Sequence, residues 1–442
     1  MSIFIFRRDF RIKDNIGLNE CLKNNNIYPV FIFTPEQVKE NPYKSNNAVQ
    51  FMCESLKELK KEINLTFCYG DYIDVLTDII KKNKIDSIYT NTDYTKYGIK
   101  RDKNIEKMCK KLNIKFNKYD DILLFKPGTV MTGSGGYYQK FTPFYNTCMK
   151  LDPEEPTSKT IKKDKYCKTK YKITNIDKFY KNNDNINVHG GRDNALKILN
   201  KIGEFKNYEK TRNMLNTETT LMSAYIKFGC ISIREVYDKI KTKLGKKHPL
   251  IRQLIWREFY YHLGYGFIDR FGDSLKQKYD KIKWKNSNYL FNKWKEGKTG
   301  YPIVDACMRE LNVSGYMHNR GRLIVSSFLI KNLGIDWRKG EKYFAQKLID
   351  YDVLVNNGNW QWTSGSGADS QPYFRVFNPW LQSERYDKDC KYIKHWIPEI
   401  KDVDNKNLHN WEKYYDENIY TKPIVDYKES KEAILKMYKK YL

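Results

Sequence analysis

The segment QLIWREFY at 253–260 carries three side chains that together could hold a flat ring. On a helix, Gln253, Trp256 and Arg257 stand at positions i, i+3 and i+4 and therefore share one face. The indole offers a surface for stacking, and the amide and the guanidinium can hydrogen-bond to the edge of a ring. This face is thus a candidate floor for a planar, polar ligand.

Two further segments could bring polar groups to such a ring. In 317–323, Asn319, Arg322 and Leu323 fall on one face of a second helix. Asp350 and Asp352 stand among apolar neighbours, where a carboxylate is costly to bury unless it is paired, and Arg322 is an available partner. Taken alone, each segment is more simply explained by a core aromatic or a structural ion pair.

The tryptophans are unevenly distributed along the chain. All nine lie between Trp256 and Trp411, and the first 255 residues contain none. Core packing accounts for most buried aromatics, but it does not explain why the first half, which is also rich in aromatic residues, lacks tryptophan. Concentrated tryptophan in a basic region also suits stacking on bases or on a flavin-like ring.

The composition excludes several classes of protein. The 442 residues include 80 Lys and Arg against 53 Asp and Glu, a formal net charge of +27. An apolar content of 40% excludes a wholly disordered chain, and no apolar run approaches the roughly 20 residues that span a bilayer. The charge excess attracts polyanions such as nucleic acid, although a lysine-rich composition alone would produce the same excess.

The cysteines and histidines form no pattern typical of a metal centre. The nine cysteines are scattered from Cys21 to Cys390 without a C-x-x-C pair, and the six histidines form no ligand set. Scattered free thiols are typical of a reducing compartment. We therefore expect an intracellular protein that holds no metal.

The elements that must position these residues differ between the two halves of the chain. Five segments of the first part have strand character, namely 3–6, 28–33, 65–69, 87–91 and 114–118. Three have helical periodicity, namely 48–62, 72–82 and 99–111. This alternation predicts an α/β domain with a parallel, Rossmann-like sheet. No G-x-G-x-x-G follows the first strand, so a typical NAD fingerprint is absent.

A change of composition divides the chain. From 151 to 187, Lys, Asn, Asp and Thr dominate without apolar periodicity, which indicates a connector. From 194 onward the apolar spacing is helical, as in 221–228, 248–265, 301–311 and 317–332. We predict an α/β domain over 1–130, a connector over 131–193 and an all-α domain over 194–442.

Eight runs of residues, taken in their order, are more specific than any single pattern. They are FRRDFR at 6–11, KFTPF at 140–144, LIWREF at 254–259, GKTGYP at 297–302, MHNR at 317–320, DWR at 336–338, NNGNWQW at 356–362 and PYFR at 372–375. With these runs the chain resembles the photolyase/cryptochrome family, and most closely its photolyases for cyclobutane pyrimidine dimers. The resemblance covers nearly the whole chain and implies an α/β antenna domain followed by an all-α FAD-binding domain.

The resemblance implies that the helical domain holds a folded-over FAD. The segment around the phosphates and the adenine side of FAD is matched by Tyr208, Thr219, Thr220, Met222 and Ser223. Hydroxyls and backbone N–H groups at a helix start suit an anion, although Thr219 and Thr220 alone could simply be an N-cap. The positions around the flavin ring are matched by Arg257, Asn319, Arg322, Asp350, Asp352 and Asn356.

The same resemblance assigns roles in electron transfer. Trp360, Trp337 and Trp284 match a relay of three tryptophans between the flavin and the surface. Easily oxidised indoles would divide a distance too long for one electron hop into short steps. Asn356 matches the residue that faces the flavin N5, where an amide in place of an acid favours the fully reduced flavin used in repair.

The implied partner is UV-damaged DNA, and we expect the protein to act as a monomer. Trp256 and Trp362 match an aromatic wedge around a flipped-out dimer, a mode of access known for photolyases, and Asn319 matches a polar contact to it. The positions that contact the DNA backbone are matched by Arg212, Arg320 and Arg375. The expected reaction is light-driven electron donation from reduced FAD to the dimer, splitting of the cyclobutane ring and return of the electron.

The chain departs from this pattern at three places. Gln253 stands where such enzymes usually have a glutamate, and Leu323 stands where they have a methionine that packs on the lesion. A glutamine there is more familiar in enzymes for (6-4) photoproducts and in cryptochromes, but those (6-4) enzymes have a histidine at the position of Asn319. We therefore expect slow dimer repair, with (6-4) repair or cryptochrome blue-light signalling as alternatives. The segment 92–98 lacks the glutamate of a folate antenna, which leaves a deazaflavin, a second flavin or an empty antenna pocket.

Overall fold

The computed structural model describes residues 1–23, 26–39, 41–157, 163–169, 171 and 174–441. Its first part contains five strands, namely β1 (Ser2–Phe6), β2 (Ile27–Phe33), β3 (Thr66–Tyr69), β4 (Ser87–Asn91) and β5 (Lys115–Tyr119). All neighbouring strands are parallel, and their spatial order is β3-β2-β1-β4-β5. Because β1 lies between β2 and β4, the order of the strands reverses at β1, as in a doubly wound sheet.

Five helices belong to this part, namely α1 (Ile16–Leu22), α2 (Pro35–Val38), α3 (Asn46–Glu62), α4 (Tyr72–Lys82) and α5 (Lys96–Lys111). Successive side chains of β1 point to opposite faces of the sheet. Ile3 and Ile5 pack against α4 and α5, whereas Phe4 and Phe6 join a core that continues through Phe228 and Phe259. The loop after β1 therefore lies at the boundary with the rest of the chain.

The connector packs along the sheet. It carries α6 (Phe141–Cys148) and two short 3-10 helices, Lys163–Lys165 and Asp177–Phe179. Tyr166 forms an isolated parallel bridge with Ile27, and the backbone N–H of Thr174 donates to the carbonyl of Phe67 at 2.9 Å. The residues 158–162, 170 and 172–173 of the predicted connector lie outside the described residues. The domain boundaries at 130 and 193 stay a prediction.

The rest of the chain is helical, and within the described ranges no strand follows Tyr119. Its α-helices are α7 (Arg192–Asn200), α8 (Tyr208–Thr211), α9 (Ser223–Phe228), α10 (Ile233–Leu244), α11 (Pro249–Gly266), α12 (Asn288–Glu296), α13 (Pro302–Ser314), α14 (Asn319–Lys331), α15 (Trp337–Lys347), α16 (Val353–Ser364), α17 (Pro379–Tyr386), α18 (Lys391–Trp396), α19 (Asn405–Leu408), α20 (Trp411–Tyr414) and α21 (Tyr427–Lys439). Four 3-10 helices accompany them, namely Ile202–Asn207, Ile268–Arg270, Gln277–Lys281 and Pro398–Ile400.

The predicted fold class is confirmed, and each predicted strand boundary lies within one residue of the observed one. The helices predicted to start at 248 and 317 start one or two residues later, because His248 and His318 are N-caps whose imidazoles accept a backbone N–H. Helix α1, which has only seven residues and follows the N-cap Asn15, was not predicted.

Candidate functional site

A cavity of about 470 Å³ lies in the helical part, bounded mainly by α9, α11, α14 and α16. This volume is typical of small-molecule sites. Seventeen of the twenty-one predicted site residues line it, namely Tyr208, Arg212, Thr219, Thr220, Met222, Ser223, Gln253, Trp256, Arg257, Asn319, Arg322, Leu323, Asp350, Asp352, Asn356, Trp360 and Trp362. The cavity thus brings together residues predicted to hold FAD and residues predicted to meet the lesion.

Helix α11 forms one wall. Trp256 stacks on Phe141 of α6, with ring centroids 3.6 Å apart and an interplanar angle of 3°. The Nη1 of Arg257 donates to the carbonyl of Ile122 at 2.9 Å, and its Nη2 is buried without a hydrogen-bond partner. Gln253 makes only a long hydrogen bond, 3.4 Å from Nε2 to the carbonyl of Pro249. Trp256 is therefore held rigidly, while the amide of Gln253 can turn towards a ligand.

Helix α14 forms a second wall, and Asn319, Arg322 and Leu323 share its cavity face as predicted. Arg322 Nη2 donates to both carboxylate oxygens of Asp350, at 3.0 and 3.2 Å. Its Nε donates to the carbonyl of Met317 at 2.8 Å. The ion pair that the sequence predicts is present, and it fixes the guanidinium at the cavity wall.

Asp352 is the N-cap of α16 and is tied to the first part of the chain. Its Oδ2 accepts hydrogen bonds from Arg8 Nη2 and from the hydroxyl of Tyr261, both at 2.5 Å. Burial alone would raise the pKa of Asp352, but the positive charges of Arg8 and Arg257 lower it to about 2. Asp352 is therefore a fixed negative charge at neutral pH.

Asn356 lies one turn further along α16. Its Nδ2 donates to the carboxylate of Glu341 at 2.9 Å and to the Glu341 carbonyl at 3.2 Å. Burial raises the pKa of Glu341 to about 7, although its hydrogen bonds from Asn356 and Tyr351 oppose this shift. Because the amide nitrogen is engaged, the Oδ1 of Asn356 is the atom available to accept a hydrogen bond from a ligand.

The segment before α9 has an unusual backbone. Leu221 has φ of +50°, a conformation that costs an L-residue energy and that directs the neighbouring residues into the cavity wall. The N-cap of α9 is Met222, with no side-chain cap, so the alternative that Thr219 or Thr220 is simply an N-cap is wrong. The Thr219 hydroxyl instead lies 3.3 Å from that of Tyr316. The polar side chains that segment 219–223 offers to a ligand are the hydroxyls of Thr219, Thr220 and Ser223, which all line the cavity.

The three tryptophans predicted to form a relay lie at and beside one wall of the cavity. Trp360 lines it, and its ring packs on Gly340, where an added Cβ would lie 2.2 Å from the indole. Gly340 stands one turn after Trp337 on the same face of α15. The backbone N–H of Lys285 donates to the carbonyl of Gly334 just before α15, which places the half-buried Trp284 beside this helix.

Four predicted residues lie outside the cavity lining, namely Trp284 and Trp337 of the predicted relay and the arginines Arg320 and Arg375. The guanidinium of Arg320 packs 4.3 Å from the ring centroid of Tyr386, and its Nη2 donates to Asn213 at 2.7 Å. Burial lowers the pKa of Arg320 despite Tyr386, and repulsion from three further arginines, Arg212, Arg385 and Arg375, adds to this lowering. Positive charge is thus concentrated on one surface.

Several residues of this site were not predicted. Arg8 and Phe141 lie within runs that carry the family resemblance, but nothing in their local sequence indicates a contact more than 100 residues away. Trp294, whose ring centroid lies 6.4 Å from that of Trp360, is one more core-like tryptophan in sequence. Lys227, which lines the cavity, gives no sequence signal in so lysine-rich a chain.

Two features are absent from the described residues. None of their helices combines the length and the apolar character that a membrane span requires. In the same ranges, no group of three or more His, Cys, Asp or Glu side chains could hold a metal ion.

Two sequence families match most of the chain. The family described as DNA photolyase matches residues 2–160, and the family described as the FAD-binding domain of DNA photolyase matches residues 250–440. The second match covers α11 to α21, which include three of the four main cavity helices. The expectation of an FAD-binding helical part is thereby confirmed.

Similar proteins match over the whole length. The deoxyribodipyrimidine photo-lyase of Buchnera aphidicola subsp. Baizongia pistaciae is 37% identical over 99% of this chain and 98% of its own. The structure of an archaeal photolyase from Sulfolobus tokodaii with two FAD molecules is 39% identical, covers 99% of both chains and has a TM-score of 0.89. A cryptochrome from Synechocystis sp. PCC6803 is 28% identical over 99% of both chains, with a TM-score of 0.90. The chain belongs to the DNA photolyase family.

Proposed function

We propose that this chain is a deoxyribodipyrimidine photo-lyase, which uses FAD and light to split cyclobutane pyrimidine dimers in DNA. The similar deoxyribodipyrimidine photo-lyase of Buchnera aphidicola, which matches over almost the whole of both chains, supports this enzyme class. When bound, reduced FAD absorbs the light and supplies the electron that opens the cyclobutane ring and is then returned.

The cavity fits this cofactor. Its volume of about 470 Å³ lies in the range of cofactor sites. The Oδ1 of Asn356 can accept a hydrogen bond from an N–H at the edge of a reduced flavin, because the amide nitrogen is committed to Glu341. The hydroxyls of Thr219, Thr220 and Ser223 line the cavity and can donate to phosphate oxygens. Polar groups that suit both ends of FAD are therefore present.

The residues of α11 and α16 can receive a base that leaves the duplex. Trp256 and Trp362 line the cavity, and Trp256 is kept in place by its stacking on Phe141. A rigid aromatic wall compensates for lost base stacking. Asn319 and Gln253 can hydrogen-bond to the edge of the flipped bases, while Leu323 offers only an apolar contact.

The arginines beside the cavity can hold the DNA backbone. Arg320 lies among Arg212, Arg375 and Arg385, and the formal net charge of +27 adds long-range attraction. Activity on DNA would place the protein inside the cell, and the monomeric state stays a prediction.

For the antenna position, the likeness to the Sulfolobus photolyase favours a second flavin over a deazaflavin. The amount of FAD released from the denatured holoprotein tests this choice. Two FAD per chain would support a second flavin, and one would exclude it.

The observation that carries the proposed function is the single cavity that joins the residues matched to FAD with those matched to the lesion. The test is to illuminate the reduced, FAD-loaded protein with oligonucleotides that carry either a cyclobutane dimer or a (6-4) photoproduct. We expect the protein to repair the cyclobutane dimer and to leave the (6-4) photoproduct unchanged. Repair of the (6-4) photoproduct alone would show that this lesion is the substrate. Repair of neither lesion by a protein with intact FAD would favour the signalling function of a cryptochrome.

A further inference from the structure

Lys227 is a lysine in the wall of the cavity. It stands on α9 one turn after Ser223, and both residues line the cavity. Residues at i and i+4 of a helix are neighbours, so Lys227 and Ser223 share one side of α9. Its Nζ rests 3.5 Å from the ring centroid of Phe228, and its carbonyl accepts a hydrogen bond from Arg8 Nε at 3.1 Å.

The charged groups that act on Lys227 come from two other parts of the chain. Arg8, in the loop after β1, repels the ammonium, whereas Asp350 and Asp352, before α16, attract it. Both carboxylates already have closer partners, since Asp352 pairs with Arg8 and Asp350 pairs with Arg322. Among the described residues, none forms a salt bridge with Lys227 within 4.0 Å.

The other cations of the cavity wall have carboxylate partners. Arg322 pairs with Asp350 at 3.0 Å, and Arg257 lies 3.4 Å from Glu258. Arg212 lies 3.7 Å from Glu209. Lys227 is therefore the lining cation whose charge is best available to an anionic ligand.

We propose that Lys227 is the phosphate-binding cation of this cavity, which pairs with the pyrophosphate of FAD and takes up a proton when FAD binds. The inference rests on the FAD-binding function proposed above. Of the parts of FAD, we assign the pyrophosphate to Lys227, because Lys227 lies one turn from Ser223 and the segment 219–223 supplies hydroxyls suited to phosphate oxygens. A pyrophosphate diester stays ionised at neutral pH, so the proton taken up belongs to the lysine.

The electrostatics of the protein itself support this proton uptake. Burial and the charge of Arg8 lower the pKa of Lys227 to about 7, against the opposing effect of Asp352 and Asp350. An anion beside the ammonium raises that pKa again, since it stabilises the charged form. The protonated lysine then binds FAD more tightly, so the affinity for FAD falls as the pH rises above about 7.

The test is a calorimetric titration of the full chain, freed of flavin, with FAD at pH 8 in two buffers of different ionisation enthalpy. We expect the wild type to take up close to one proton per FAD. Lys227→Met should take up none and bind FAD roughly ten- to a hundredfold more weakly. Lys197→Met, which changes an exposed lysine on α7, should behave as the wild type.

Riboflavin, which has no phosphate, separates the pyrophosphate from the flavin ring as the partner of Lys227. We expect Lys227→Met to bind riboflavin as the wild type does, and an equal loss for both ligands would overturn the assignment to the pyrophosphate. Unchanged FAD affinity and proton uptake in Lys227→Met would overturn the proposal, whereas a wild type that binds no FAD would overturn the cofactor function itself. If Lys227→Met does not fold, the wild type alone decides, because a pH-independent FAD affinity between pH 6 and 9 would contradict the proposal.

Discussion

Arg8 and Asp352, which lie 344 residues apart, form an ion pair of 2.5 Å at the wall of the cavity. Arg8 follows β1 of the sheet, and Asp352 is the N-cap of α16. Both side chains are largely buried, with 17% and 7% of their surfaces exposed. Removing one partner of a buried pair leaves an uncompensated charge, which costs about 3–5 kcal/mol. The α/β part therefore helps to fix the FAD site in the helical part.

This ion pair predicts a specific loss of stability in acid. The pKa of Asp352 is about 2 in the folded protein, below its ordinary value of 3.8, so the carboxylate stabilises the fold above about pH 4. That stabilisation, roughly 2 kcal/mol, is lost as the pH falls from about 4 towards 2. Urea unfolding at a series of pH values should show this decline in the wild type and a smaller one in Asp352→Asn. An equal decline of the unfolding free energy with falling pH in the two proteins would contradict the pairing of Asp352 with Arg8.

Gln253→Glu is expected to raise the yield of dimer repair per absorbed photon. A carboxyl group at this position can hydrogen-bond to the thymine radical anion and support it more strongly than the amide does. Gln253→Leu, which keeps the size but removes the polar group, should lower the yield. Repair of a dimer-bearing oligonucleotide under counted photons measures both, and an unchanged or lower yield in Gln253→Glu would show that Gln253 does not limit repair.

Trp337→Phe is expected to slow photoreduction of the bound FAD at least tenfold, because phenylalanine is too hard to oxidise to replace the middle indole of the relay. Trp294→Phe tests the neighbouring indole, 6.4 Å from Trp360, and should have a much smaller effect. Trp411→Phe, another buried tryptophan, controls for packing. The measurement is the loss of oxidised-flavin absorbance under blue light. A larger effect of Trp294→Phe would move the relay to α12.

Asn356→Asp is expected to disfavour the reduced state of the bound FAD. It replaces an amide that donates to Glu341 at 2.9 Å by a second acid beside the first. The added carboxylate places negative charge beside the reduced flavin, and a repulsion of roughly 1.5–3 kcal/mol corresponds to a decrease of roughly 30–60 mV in a two-electron midpoint potential. Adding Glu341→Gln removes the repulsion between the two neighbouring carboxyl groups and should restore part of the lost midpoint potential. Spectroelectrochemical titration tests this, and Asn359→Asp on the same helix is the control.

Much of this architecture could be predicted from the sequence. The strands are short apolar or β-branched runs bounded by polar residues, so local periodicity placed 3–6 and 87–91 correctly. The helical faces were also predictable, because Gln253, Trp256 and Arg257 need only regular helix geometry to meet. The resemblance to photolyases then supplied the order in which separate helices meet around one cavity.

The contacts between distant segments could not be predicted. The pairing of Arg8 with Asp352 depends on how the loop after β1 packs against α9, and no local pattern encodes that packing. The hydrogen bond from the Asn356 amide to Glu341 likewise depends on the packing of α15 against α16. The left-handed Leu221 gave no signal either, since leucine rarely adopts this conformation.

Arg320→Ala is expected to weaken binding to damaged and undamaged DNA alike, because a backbone contact carries no sequence information. The slope of log affinity against log salt concentration should decrease in magnitude by about 1, the effect of one lost phosphate contact. Lys110→Ala, an exposed lysine on α5 paired with Glu106, is the control. Fluorescence anisotropy with labelled oligonucleotides measures both, and an unchanged slope in Arg320→Ala would remove this residue from the DNA surface.

The proposed reaction requires that FAD in this cavity pass an electron to a dimer held against Trp256 and Trp362. This electron transfer is followed by the fluorescence lifetime of the bound reduced FAD, measured with a saturating dimer-bearing oligonucleotide and with its undamaged counterpart. We expect a clearly shorter lifetime with the dimer-bearing oligonucleotide only, and a return to the long lifetime once the dimer has been repaired. The same lifetime with both oligonucleotides, under conditions where both are bound, would contradict it.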